Sequence, residues 1–131
     1  MLIMINLLKP DPRLRRGYKD KKRLGLLSNY DCQACKLKGE RQTTRTHIHH
    51  LAGIGAGLKA SDLLSFLLCE KHHQSGKIGE AIHKGIAEFE ENFKPQLQFI
   101  FEINERIFKD RALKGKDLEA YFLIRDYCKN N

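Results

Sequence analysis

Two short cysteine and histidine pairs constrain this chain more than any other feature: Cys32-Gln-Ala-Cys35 and Cys69-Glu-Lys-His72. Two ligands separated by two residues can grip one metal from a tight turn, and a second pair with the same spacing closes a tetrahedron. The four residues therefore predict a structural zinc with three thiolates and one imidazole. The 33 residues between Cys35 and Cys69 exceed the span of an ordinary finger and leave room for a hairpin and a loop. Cys128 stands apart near the end of the chain and reads as a structural thiol.

At 131 residues the chain has the length of one domain. Charged residues make up 31% of it, and no apolar run approaches the roughly 18 residues of a membrane span. The opening stretch Met1 to Leu8 has neither a basic residue before its apolar run nor a small-residue cleavage site, so it reads as an edge strand or docking segment rather than a signal peptide. The expected location is the cytoplasm. In a reducing compartment Cys-x-x-Cys binds metal more readily than it forms a disulfide.

The net charge of +8 is placed unevenly. Residues 1–59 hold 13 basic and 4 acidic side chains, whereas residues 60–131 hold 11 and 12. Arg13, Arg15, Arg16, Lys19, Lys21, Lys22 and Arg23 make the densest stretch. Such a segment gains affinity for a phosphate backbone by displacing condensed counterions, without reading sequence. We therefore divide the chain into an apolar start and basic arm at residues 1–30, and a single domain at 31–131.

Within that domain Thr43 to Leu51 is β-branched and reads as a strand, with His47 and His49 on one face and His50 on the other. Gly53, Gly55 and Gly57 permit a bend after it. Apolar residues recur every three or four positions from Ile82 to Phe108, the period of an amphipathic helix that Pro95 should kink or divide. A final helix is expected over Asp117 to Cys128, after Gly115. All six histidines fall between residues 47 and 83, more than one zinc site uses.

Cys32-x-x-Cys35, His49-His50, Asp62 and Cys69-x-x-His72-His73 follow in order the pattern of zinc-stapled HNH, or ββα-metal, endonucleases. More narrowly, His47-Ile-His49-His50-Leu-x-Gly53-x-Gly55-x-Gly57-x-Lys59-x-x-Asp62, with Leu68-Cys69-x-x-His72-His73 and His83, resembles the phage RecA-dependent nuclease (Ref) family. The resemblance covers roughly residues 30–95, with the zinc and HNH core at about 31–95. It implies an α+β fold: a small zinc-stapled ββα-metal (HNH, or His-Me finger) core with a basic N-terminal arm and C-terminal amphipathic helices.

The resemblance also implies roles. His50 would be the general base, and His49 and His73 the ligands of a catalytic divalent metal (Mg²⁺, Mn²⁺ or Zn²⁺). Asp62 stands where the family has an asparagine and would orient the base. His83 either completes the metal site or lies on the helix surface. Lys59 and Arg45 join the basic segment as candidate phosphate contacts. The expected activity is metal-dependent hydrolysis of DNA phosphodiester bonds, of phage or prophage origin and linked to recombination, with a RecA filament as an implied partner. The alternative is a non-catalytic zinc-dependent nucleic-acid-binding module. A neutral imidazole can take a proton from water near neutral pH, which suits histidine to the base's role.

Overall fold

A computed structural model describes residues 11–53 and 59–131. The expectations for Met1 to Leu8 and for Gly55 and Gly57 lie outside these residues. The fold is mixed α+β, with one two-stranded sheet and several helices. Among the described residues no helix is long and apolar enough to cross a membrane.

After a 3₁₀ turn at Pro12–Leu14 come helix α1 (Lys21–Leu27) and helix α2 (Gln33–Lys38). Asp20 caps α1 by accepting a hydrogen bond from the Arg23 N–H at 3.0 Å. Cys32 caps α2 in the same way, its Sγ accepting from the Cys35 N–H at 3.4 Å. Gly39 ends α2 at φ +67°, a left-handed conformation that glycine adopts without strain. The Cys-x-x-Cys spacing is thus realised as the first turn of a short helix.

Strand β1 (Thr46–His50) pairs antiparallel with β2 (Ser65–Cys69), with His49 opposite Phe66 and His50 opposite Ser65. The strand is shorter than the sequence suggests, because Thr44 turns away and its hydroxyl accepts from the Lys71 N–H. A two-stranded hairpin is marginal alone, and here every residue of β2 is buried by helices on either side. Gln33 ties α2 to this layer: its Oε1 accepts from the Leu67 N–H at 3.0 Å and its Nε2 donates to the Phe99 carbonyl at 2.9 Å.

The long apolar stripe divides at Pro95 into α3 (Ile86–Asn92) and α4 (Gln96–Asp110). Phe99, Ile100, Ile103 and Ile107 of α4 face the core, and Phe99 stacks on Phe66 with ring centroids 5.2 Å apart. Phe108 departs from the stripe: it is exposed and lies flat on Tyr121 of the last helix, α5 (Gly115–Asn130).

The basic segment is not a free arm over residues 11–30. Leu27 and Tyr30 belong to the same buried cluster as Cys32, Phe99 and Ile124. Arg13 pairs with Glu119 and Lys22 with Asp117, both on α5. The expected boundary at residue 30 is therefore not a boundary of packing.

Candidate metal centres and the His50–Asp62 pair

Ligand atoms of Cys32, Cys35 and Cys69 all lie within 4.8 Å of one another, and the three residues are buried. Cys32 and Cys35 come from the first turn of α2, and Cys69 ends β2. Burial pushes the Cys32 and Cys35 thiols up, for lack of solvent around a thiolate. Burial acts the same way on Cys69, but hydrogen bonds from the Thr44 side chain, the His72 backbone and the other two cysteines outweigh it and bring its pKa down.

The chain leaves β2 through a wide π-helical turn, Lys71–Ser75, which sends its adjacent histidines to different places. His72 lies against the ring of Phe93, and its Nδ1–H donates to the Glu80 carbonyl at 2.9 Å. That bond leaves the lone pair on Nε2, an atom that is buried without a hydrogen-bond partner. The group within 4.8 Å holds the three cysteines and not His72. Three buried thiols and a buried imidazole nitrogen that makes no hydrogen bond and lies 3.7 Å from Glu40 Oε1 are the donor types a structural zinc takes, so the residues fit that ion.

The second group holds His49, His73 and His83, whose ligand nitrogens also lie within 4.8 Å of one another. The strand pleat puts His47 and His49 on the face that meets His73, with ring centroids 5.2 and 5.0 Å from it. His83 comes from a 3₁₀ turn at Ile82–Lys84 and approaches His73 to 4.4 Å. It is thus gathered with the other two, although its own side chain is exposed. Burial, with repulsion from His73, holds His49 down to about 3. Burial, with repulsion from His83, His47 and Lys59, holds His73 down to about 4. Both are neutral lone-pair donors at physiological pH, as metal ligation requires.

Gln96 was not legible as a site residue. It is buried at the first position of α4, and its amide orientation is set by the backbone of Ala52. The Ala52 N–H donates to Oε1 at 2.9 Å, and Nε2 donates to the Ala52 carbonyl at 3.1 Å. The same Oε1 lies 3.3 Å from His49 Nε2. An amide oxygen only accepts, so His49 carries its proton on Nε2 and keeps the lone pair on Nδ1. His47 also joins the site, with its Nδ1 3.0 Å from His73 Nδ1, so one of these two nitrogens carries the shared proton.

His50 faces the other way. Its Nε2 lies 2.7 Å from Asp62 Oδ1, while Asp62 Oδ2 accepts from the Asp20 N–H at 2.7 Å. The carboxylate is thus held at both oxygens, and a proton on His50 Nε2 leaves Nδ1 to accept another.

The candidate phosphate contacts separate into classes. Lys59 and Arg45 are exposed, and Lys59 is close enough to His73 to repel its proton. Arg15, Arg16, Lys19 and Lys21 are also exposed. Arg23 is a correction: it is 2% exposed, with Nε and one Nη buried and unpartnered, so it does not reach a phosphate. Helical period explains this, since Arg23 and Leu27 lie on the inward face of α1. Burial pulls its guanidinium down to about 10.

The chain is 32% identical over 105 residues to the uncharacterized protein YdfU of Escherichia coli (strain K12). The alignment covers 78% of this chain, which spans about a quarter (25%) of that relative's length. No family model matches the chain, and no solved structure matches it.

Proposed function

We propose that this chain is a metal-dependent DNA endonuclease of the HNH, or ββα-metal, type, with β1, β2 and the π-helical turn as its catalytic core. The observation that carries the reading is the gathering of His49, His73 and His83 within 4.8 Å, together with a carboxylate-held histidine, His50, next to His49 on β1. A binding module needs only the cysteine group, and has no use for a second ligand set or a histidine held by a carboxylate.

In this reading His49, His73 and His83 would hold a divalent cation (Mg²⁺, Mn²⁺ or Zn²⁺), which would supply positive charge to offset that developing on the phosphoryl and leaving oxygens. His50 Nδ1 takes the proton of the attacking water, and Asp62 holds the imidazole and stabilises the imidazolium that forms. Gln96 presents His49 Nδ1 to the metal. Lys59 and Arg45 offer positive charge to the flanking phosphates. Cys32, Cys35, Cys69 and His72, from α2, β2 and the π-helical turn, would hold a structural Zn²⁺.

Phage or prophage origin, a role in recombination, a cytoplasmic site of action and targeting by a RecA filament are part of the proposal, and rest on the resemblance of the sequence motifs. A plasmid-cleavage assay across divalent metals, with and without a RecA filament, tests it. Wild type should cut and His50→Ala should bind DNA without cutting. Inactivity of wild type with every metal and filament condition returns the chain to a binding module.

A further inference from the structure

We propose that an open cleft of about 580 Å³ between the N-terminal segment and the start of α5 carries the phosphate backbone of the nucleic acid flanking the cut, with Lys114 and Lys116 as its second wall. The proposal rests on the nucleic-acid reading above but not on catalysis.

The cleft is lined by Arg13, Lys19, Lys21, Lys22, Lys114 and Lys116, with Asp20 and Asp117 as its acids. Both acids are already engaged. The Asp20 carboxylate accepts from the Arg23 N–H as the cap of α1, and Asp117 pairs with Lys22 at 2.9 Å. Arg13 pairs with Glu119. Lys19 and Lys21 on one wall, and Lys114 and Lys116 on the other, have no acid partner among the described residues. Like charges brought together from segments far apart in sequence repel one another until an anion lies between them.

Position makes the anion a substrate strand. Two residues that line the cleft, Tyr18 and Asp20, are hydrogen-bonded to Asp62, the residue that holds His50. The Tyr18 carbonyl accepts from the Asp62 N–H at 3.0 Å, and the Gly17 N–H donates to the Lys59 carbonyl at 2.8 Å. The wall of the cleft is therefore one residue away from the proposed base. A backbone with one phosphate per roughly 3.4 Å of each strand presents several phosphates to the two walls.

Binding of the metal-loaded His50→Ala protein to a labelled duplex, measured as a function of salt, reads this without cleavage. The double change Lys114→Gln/Lys116→Gln should reduce the slope of log affinity against log salt by about two, near 0.9 per lost phosphate contact. Lys109→Gln/Lys129→Gln, at exposed lysines elsewhere on α4 and α5, should leave it unchanged. Zinc content and melting temperature check that both variants fold. An unchanged slope, or an equal loss in the control pair, overturns the proposal. So does inorganic phosphate that displaces the duplex beyond its ionic-strength effect in wild type but not in the Lys114→Gln/Lys116→Gln variant, since that describes a small-anion site. Loss of affinity for polyglutamate with duplex binding intact would assign the cleft to an acidic protein instead. Because cleavage is never measured, a nuclease reading that failed would leave this result standing.

Discussion

The His50 imidazole meets the Asp62 carboxylate at 2.7 Å across 12 residues of sequence, and the second carboxylate oxygen is taken by the Asp20 N–H. Asp62 thus joins the N-terminal segment to the proposed base. His50→Ala is expected to lower the cleavage rate by about 10²–10⁴-fold with duplex binding unchanged. Asp62→Asn keeps an acceptor but loses the charge, and should give a smaller loss. Asp62→Ala also leaves the Asp20 N–H without its partner, at a cost of about 1–3 kcal/mol. Plasmid nicking rates and urea unfolding of the three variants check the order.

Gln96 touches both His49 and the Ala52 backbone, so its removal should act on metal binding before anything else. Gln96→Leu is expected to weaken Mn²⁺ or Zn²⁺ binding at the histidine group by about 10–100-fold. Gln96→Glu retains the acceptor for His49 but loses the donor to the Ala52 carbonyl, and should lose less than Gln96→Leu. Calorimetric titration of the two variants distinguishes them. Equal affinities would show that the amide does not orient His49.

The buried thiols predict that the cysteine group serves folding. Cys35→Ser should lose one tightly bound zinc per chain and unfold at a much lower temperature, because metal held only by the folded chain contributes its binding energy to folding. His72→Ala leaves three thiolates in place, so the expected drop in Tm is smaller. A Cys35→Ser protein that kept its zinc and its Tm would refute the assignment.

Stability should fall on acidification through a window set by two histidines. His49 has a folded pKa of about 3 and His73 of about 4, against 6.5 for an ordinary histidine. Between these values the unfolded chain binds the protons that the folded chain refuses, so stability is lost as pH drops from about 6.5 toward 3. His49→Asn removes one such proton. Its stability should depend on pH less steeply, by up to about 1.4 kcal/mol per pH unit. Urea unfolding of both proteins from neutral pH to about pH 4 measures the difference.

Much of the site was legible because it is local. Two-residue spacing suits a tight turn, which the structure forms as the first turn of α2, capped by Cys32. Strand alternation put His47 and His49 on one face, and both meet His73. Pro95 divided the long helix, as its missing N–H requires. Arg23 was misread because a run of basic residues shows charge but not the direction of each side chain. Leu27, four residues on, is the signal that could have placed it inside. Gln96 was hidden at the head of an apolar stripe, where a polar residue carries no mark of what it will bond.

From the sequence alone follow the identities and local spacing of the candidate ligands, the helical and strand periods, and the concentration of positive charge in the first half of the chain. Tertiary structure decided which residues meet: His83 with His49 and His73, Gln96 with His49, Asp62 with both His50 and Asp20, and the N-terminal segment with α5. The physical reason is chain reversal. Spacing along a helix or strand follows from backbone geometry within a few residues. Contacts across dozens of residues depend on how the buried faces of β2, α1 and α4 pack together, and that packing alone sets which polar groups are left side by side.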